Sequence, residues 1–93
     1  MDVPEGRKLV ALFDRAEARD FADIYVLAAR HGKALLLQRA AEVDQGFDEW
    51  VLAEMFRLLP RWKDADIAVP SEEVGTLRDF FADWAAELEA PGE

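Results

Sequence analysis

Two arginines and three acids crowd the start of the stretch RAEARDFADIY, Arg15 to Tyr25, just ahead of an apolar helical pattern. Asp20 and Asp23 stand three apart, which sets them side by side on a helix. Carboxylates paired beside cations are one way an active site begins, and also how a solvated helix edge looks. Projected at about 100° per residue, Phe21, Ile24, Tyr25 and Ala28 share one face, with Arg19, Asp23, Val26 and Arg30 opposite. Asp20 falls between the two sets, below Ile24 and Leu27, at the edge of the expected core. A carboxylate there needs a cation or several donors, because half-burying an unpaired charge is costly. Lys8, Leu12 and Arg15 run along one line of the preceding helical segment. An antiparallel hairpin of the two would bring Lys8, Arg15, Asp20 and Asp23 to one groove, as a site or as an ion-pair network stitching the hairpin.

The remaining chemistry-bearing residues are sparse. Asp64-Ala65-Asp66 has the DxD spacing of divalent-metal sites, but two acids are too few and nothing around them presents a metal, so a polar loop is the expectation. His31 is the one histidine, and the chain has no cysteine, so neither a triad nor a zinc site forms around it; it suits the free carbonyls at a helix end. Ser71, the single serine, reads as a helix cap. Trp50, Trp62 and Trp84 read as core or core-edge residues, since the acidic surroundings disfavour a platform for bases. No glycine-rich phosphate loop is present, and no complete catalytic constellation assembles from these residues.

Helices must position them. The pattern predicts helices over about 5–15, 18–31, 33–44, 49–59 and 71–89, joined by short loops. Gly32 should end the second. Asp48 should cap the fourth, with Phe47 and Leu52 stapled across the cap, and Pro60 should end or kink it. Val74, Leu77, Phe81, Trp84 and Leu88 form an apolar stripe on the last helix, to be spent in the core or in a dimer. With no period-two alternation and no repeat, the fold expected is all-α: a compact bundle of about five helices in a single domain over residues 1–93.

Composition bounds the function. The chain has 93 residues, 52% of them hydrophobic, and a net charge of −9. Residues 1–39 balance to +1 and residues 40–93 to −10. The acidic part repels phosphate, so wrapping of duplex nucleic acid is not expected, and a site for a phosphate-bearing ligand belongs in the first 39 residues. No apolar run approaches the roughly 20 residues of a membrane span. The first residues lack a signal-peptide core and cysteine is absent, which fits the cytoplasm.

The run KLVALFDRAEARDFADIY resembles the C-terminal signature of AbiEii/AbiGii-type nucleotidyltransferase toxins. The matching elements are Lys8, Ala11-Leu12, Arg15, Arg19-Asp20, Asp23 and Ile24-Tyr25. Downstream, GFD before a helix and a final helix ending in DWAAEL are similar to that family's helical tail. The resemblance implies the helical half of a two-part enzyme of toxin–antitoxin or abortive-infection systems. It casts Lys8 as the contact to a nucleoside triphosphate and Asp20 as the catalytic residue or the one orienting that lysine. Arg15 and Arg19 would add to nucleotide binding, and Asp23 would support the groove. The family's polymerase-β-like half, with its Gly-Ser turn and magnesium-holding acids, is not in this sequence. The chain therefore reads as a C-terminal piece, with Met1 just upstream of the first helical motif. It would bind no cofactor of its own and be inactive in transfer alone, its expected partners being a catalytic N-terminal half or an antitoxin. The alternative is a small non-catalytic helical module that binds a protein, such as an antitoxin or a second copy of itself.

Overall fold

Why the chain turns where it does is clearest at residue 32. A computed structural model describes residues 4–90, and in it helices α2 (Ala18–His31) and α3 (Lys33–Val43) are separated by Gly32 alone. Gly32 sits at φ 88° and ψ 149°, donating its amide to the Ala28 carbonyl. Only glycine occupies that region without strain. A Cβ there would meet nothing within 4 Å, so the backbone alone opposes a side chain. Gly32→Ala is expected to cost about 1–3 kcal/mol, read as a lower urea midpoint at unchanged slope.

α1 (Pro4–Arg15) precedes α2, and only Ala16 and Glu17 join them. Ala16 takes the left-handed conformation, φ 50°, and its amide closes the helix end on the Leu12 carbonyl at 2.8 Å. After α3 come α4 (Glu49–Phe56), short 3-10 turns at Leu59–Arg61 and Asp64–Asp66, and α5 (Ser71–Glu89). Among the described residues these five α-helices carry the fold and no strand is present. The Cα radius of gyration, 12.5 Å, is close to the ~12 Å of a compact chain of this length.

α1 packs most extensively on α3, and α4 on α5; α2 closes against α1 and reaches α5. The core is continuous: Leu9 and Leu12 of α1, Phe21 and Ile24 of α2, Leu36 of α3, Leu52 and Phe56 of α4, and Val74, Leu77, Phe81 and Trp84 of α5 are all buried. The α5 stripe is therefore spent inside its own bundle, which removes the dimer-seam alternative for it; Leu88 at its end is half-buried. Lys33 fastens α3 to α5, its ammonium 5.0 Å from the centre of the Phe80 ring and 3.0 Å from Glu87.

Three details depart from the sequence reading. α4 ends at Phe56, three residues early: a continued helix would drive the Pro60 ring against the Phe56 carbonyl, and the chain tightens into a 3-10 turn instead. Ser71 caps nothing. Pro70 takes the cap position and its carbonyl accepts from the Glu73 amide at 2.8 Å, while Ser71 is already helical. Trp50 is not in or beside the core but 58% exposed, because Leu52, Ala53 and Phe56 set the inward face of α4 and residue 50 falls off it. Asp48 caps α4 as expected, accepting from the Trp50 amide at 2.8 Å. Phe47 packs beside the core, its ring 5.2 Å from that of Phe13.

Candidate functional site

The two-residue corner between α1 and α2 forces the helices antiparallel, and the charged residues of the signature meet across it. Arg15 grips Asp20 with two hydrogen bonds: Nε donates to Oδ2 and Nη2 to Oδ1, both at 2.9 Å. The Glu17 amide donates to the same Oδ2 at 3.1 Å, so Asp20 also satisfies one of the free donors at the start of α2. Asp20 is only 3% exposed and is the one buried charged side chain among the described residues. Burial by itself would push its carboxyl up. The hydrogen bonds from Arg15 and Glu17, with the Arg15 and Arg19 charges, more than offset that and hold it below the usual carboxylate value. The same pairing raises the Arg15 guanidinium further above its ordinary value.

Seven residues earlier on α1, Lys8 reaches Asp23 at 3.1 Å. This second rung is exposed on both sides. The structure thus brings all four residues to one edge, as a ladder of two separate pairs. Asp20 pairs with Arg15 and not with Lys8, because Asp20 lies at the corner end of α2 while Lys8 lies farther from the corner along α1. Arg19 points outward to Glu17, 3.4 Å away.

Beside the corner lies a half-open cleft of about 340 Å³, lined by Arg15, Ala16, Leu58, Arg61 and Trp62. The Trp62 indole N–H donates to the Ala16 carbonyl at 3.2 Å, laying the ring against the left-handed corner. Arg78 on α5 fixes the other side of that turn. Its Nη2 donates to the Trp62 carbonyl at 2.6 Å and to Asp64 Oδ1 at 2.8 Å, and its Nη1 to the Leu59 carbonyl at 3.3 Å. The cleft wall is therefore clamped on α5 and on the α1–α2 corner.

Arg61 and Trp62 line the cleft although the sequence does not single them out as a site; Trp62, expected in the core or at its edge, is partly buried against the core. The local signal was the run Arg61-Trp62-Lys63 after Pro60, basic residues around an aromatic within an otherwise acidic half. The DxD acids are engaged structurally: Asp64 holds Arg78, and Asp66 Oδ2 accepts from the Lys63 amide at 3.2 Å. Among the described residues no group of three or more His, Asp or Glu is gathered as a metal site, and no helix is long and apolar enough to cross a membrane. His31 is exposed in the last turn of α2. Comparisons with protein-family models, with curated proteins and with solved structures return no match for the chain.

Proposed function

We propose that this chain is the helical C-terminal domain of a nucleotidyltransferase-like toxin, working in the cytoplasm with a separate metal-bearing half and supplying the cationic side of its nucleotide site. The observation that carries the reading is the orientation of Arg15. Its guanidinium is held by two bonds to a buried carboxylate at the rim of a cleft, which fixes a cation where a phosphate could meet it. Asp20 is then a positioning residue. A carboxyl held below its ordinary value, with three donors on its two oxygens, is a poor proton acceptor and a good anchor.

Lys8 is available on the same terms. Its pair with Asp23 is exposed on both sides, and such a pair contributes ~1 kcal/mol or less, so a triphosphate could displace Asp23 at little cost. Magnesium and the nucleoside triphosphate belong to the complete enzyme, whose transfer step depends on metals and cations positioned around the phosphates.

The test is co-expression with a polymerase-β-like half and an assay of labelled nucleoside triphosphate transfer to RNA. Transfer should appear with both halves and fall at least tenfold with Lys8→Ala. Equal transfer by Lys8→Ala and Asp20→Asn would sink the assignment. A second reading, a non-catalytic interaction module, is favoured by the exposed apolar side chains Trp50 and Val51 at the start of α4, with Val43 nearby in sequence at the end of α3. Co-purification of the two halves without Lys8-dependent transfer is the outcome that selects it.

A further inference from the structure

The cleft holds a cation that the ion-pair ladder does not explain. Arg15 is matched by Asp20, Arg19 by Glu17, Arg57 by Glu89 and Arg78 by Asp64. The Arg61 side chain lines the cleft and is exposed, and it carries no hydrogen bond or ion pair to any described residue. Arg30 and Lys63 are without such a bond as well, so what sets Arg61 apart is its place in the cleft wall. Next to it Arg15 spends Nε and Nη2 on Asp20, which leaves Nη1 uncommitted. Beyond Asp20, Glu17 lies 3.8 Å from Arg15 Nε and is also 3.4 Å from Arg19 Nε, and Asp23 acts on Arg15 from farther away. With Arg15 matched by Asp20 and Arg61 unmatched, the cleft wall carries a local surplus of positive charge.

The other walls are apolar. Leu58 and Ala16 contribute aliphatic surface, and Trp62 contributes a ring whose position is set at both ends, by its N–H on Ala16 and by its carbonyl under Arg78. A fixed indole is a sequence-tolerant platform for another ring. The volume, about 340 Å³, lies at the small end of the range for small-molecule sites. The −10 balance of residues 40–93 disfavours a long polyanion entering alongside.

We propose that this cleft binds a small phosphate monoester bearing an aromatic ring, with the phosphate on Arg61 and Nη1 of Arg15 and the ring against Trp62. The proposal goes beyond the transferase reading and rests on the cleft's own geometry, and it adds Arg61 and Trp62, which lie outside the stretch that resembles the toxin family's signature.

The chain alone is sufficient for the experiment. Each of the three tryptophans gives its own indole N–H signal in a nitrogen-15 correlation spectrum, and Trp62→Phe identifies that of residue 62. Titration with adenosine monophosphate at constant ionic strength should shift the Trp62 signal saturably and leave that of Trp50 in place. Inorganic phosphate and adenosine, each lacking one half of the ligand, should bind more weakly. Arg61→Gln should weaken adenosine monophosphate about tenfold or more, the loss of a charge-assisted contact, with Arg61→Lys in between and the helical circular dichroism unchanged in both. A short single-stranded oligonucleotide binding more tightly than the monophosphate would overturn the small-ligand assignment. No saturable shift, or equal affinity in Arg61→Gln, would overturn the site. Equal affinity in Arg61→Gln together with Lys8-dependent transfer in the two-half assay would sink this proposal and leave the transferase reading standing.

Discussion

Phe81→Ala is expected to lower the melting temperature by more than about 12 °C. The side chain is fully buried where three helices meet. Its ring lies 5.1 Å from Phe21 of α2, 5.0 Å from Phe56 of α4 and 6.2 Å from Trp84 one turn along α5. Truncating such a residue removes its transfer free energy and leaves a cavity whose rigid ring walls relax poorly, at about 3–5 kcal/mol. In a domain of this size each kcal/mol moves the midpoint by roughly 4–8 °C. Since small domains hold only about 5–15 kcal/mol in total, the variant should sit near the edge of folding at 37 °C. Trp50→Ala is the control: a larger side chain, but 58% exposed, with an expected change within about 0.5 kcal/mol. Thermal unfolding followed by circular dichroism reads both, and comparable shifts for the two would show that the aromatic cluster does not hold α2, α4 and α5 together.

The parts of this architecture that were legible in the sequence are those set by local patterning. Apolar residues at helical spacing marked five helices, and the bounds of α2 match at both ends because a cap at Glu17 and a glycine at 32 leave the chain no alternative. The boundary of α4 was misplaced because Pro60 acts backwards: its ring excludes the helix from the turn before it, not only at its own position. Trp50 was misassigned for a different reason. A tryptophan near the start of a short helix carries too little periodicity to fix its face, and hydrophobicity alone then points inward.

The site divides in the same way. Asp20 was legible as a core-edge carboxylate in need of a cation, because helical phase and desolvation cost are both local arguments. Its partner was not. Lys8 and Arg15 lie on one line of α1, and the choice between them depends on how tightly the corner at Ala16 and Glu17 turns, which the left-handed φ at Ala16 sets. The Arg61–Trp62 wall depends on contacts between residues far apart in sequence, Trp62 to Ala16 and Arg78 to Leu59 and Trp62. No periodicity encodes those.

Asp20→Asn should destabilise the domain by about 2 kcal/mol at neutral pH, because charge-assisted hydrogen bonds to a buried carboxylate are replaced by weaker ones to an amide. The dependence on pH separates this from an ordinary packing loss. Asp20 titrates below its unfolded value when folded, so the folded state binds its proton less readily than the unfolded state does. The stabilisation is therefore present above the unfolded pKa of about 4 and is lost as pH falls through the lower, folded value. The difference in unfolding free energy between the native chain and Asp20→Asn should accordingly be constant from about pH 5 to pH 7 and shrink below pH 4. Glu89, which Arg57 also holds below its usual range, titrates in both proteins and cancels in the difference. Asp23→Asn supplies the contrast: its pair with Lys8 is exposed on both sides, so its effect should stay within about 0.5 kcal/mol. Urea unfolding at a series of pH values decides the matter. A difference for Asp20→Asn that persists unchanged below the folded pKa would mean that the ion pair with Arg15 is not what fixes the corner, and the orientation of Arg15 at the cleft would lose its physical basis.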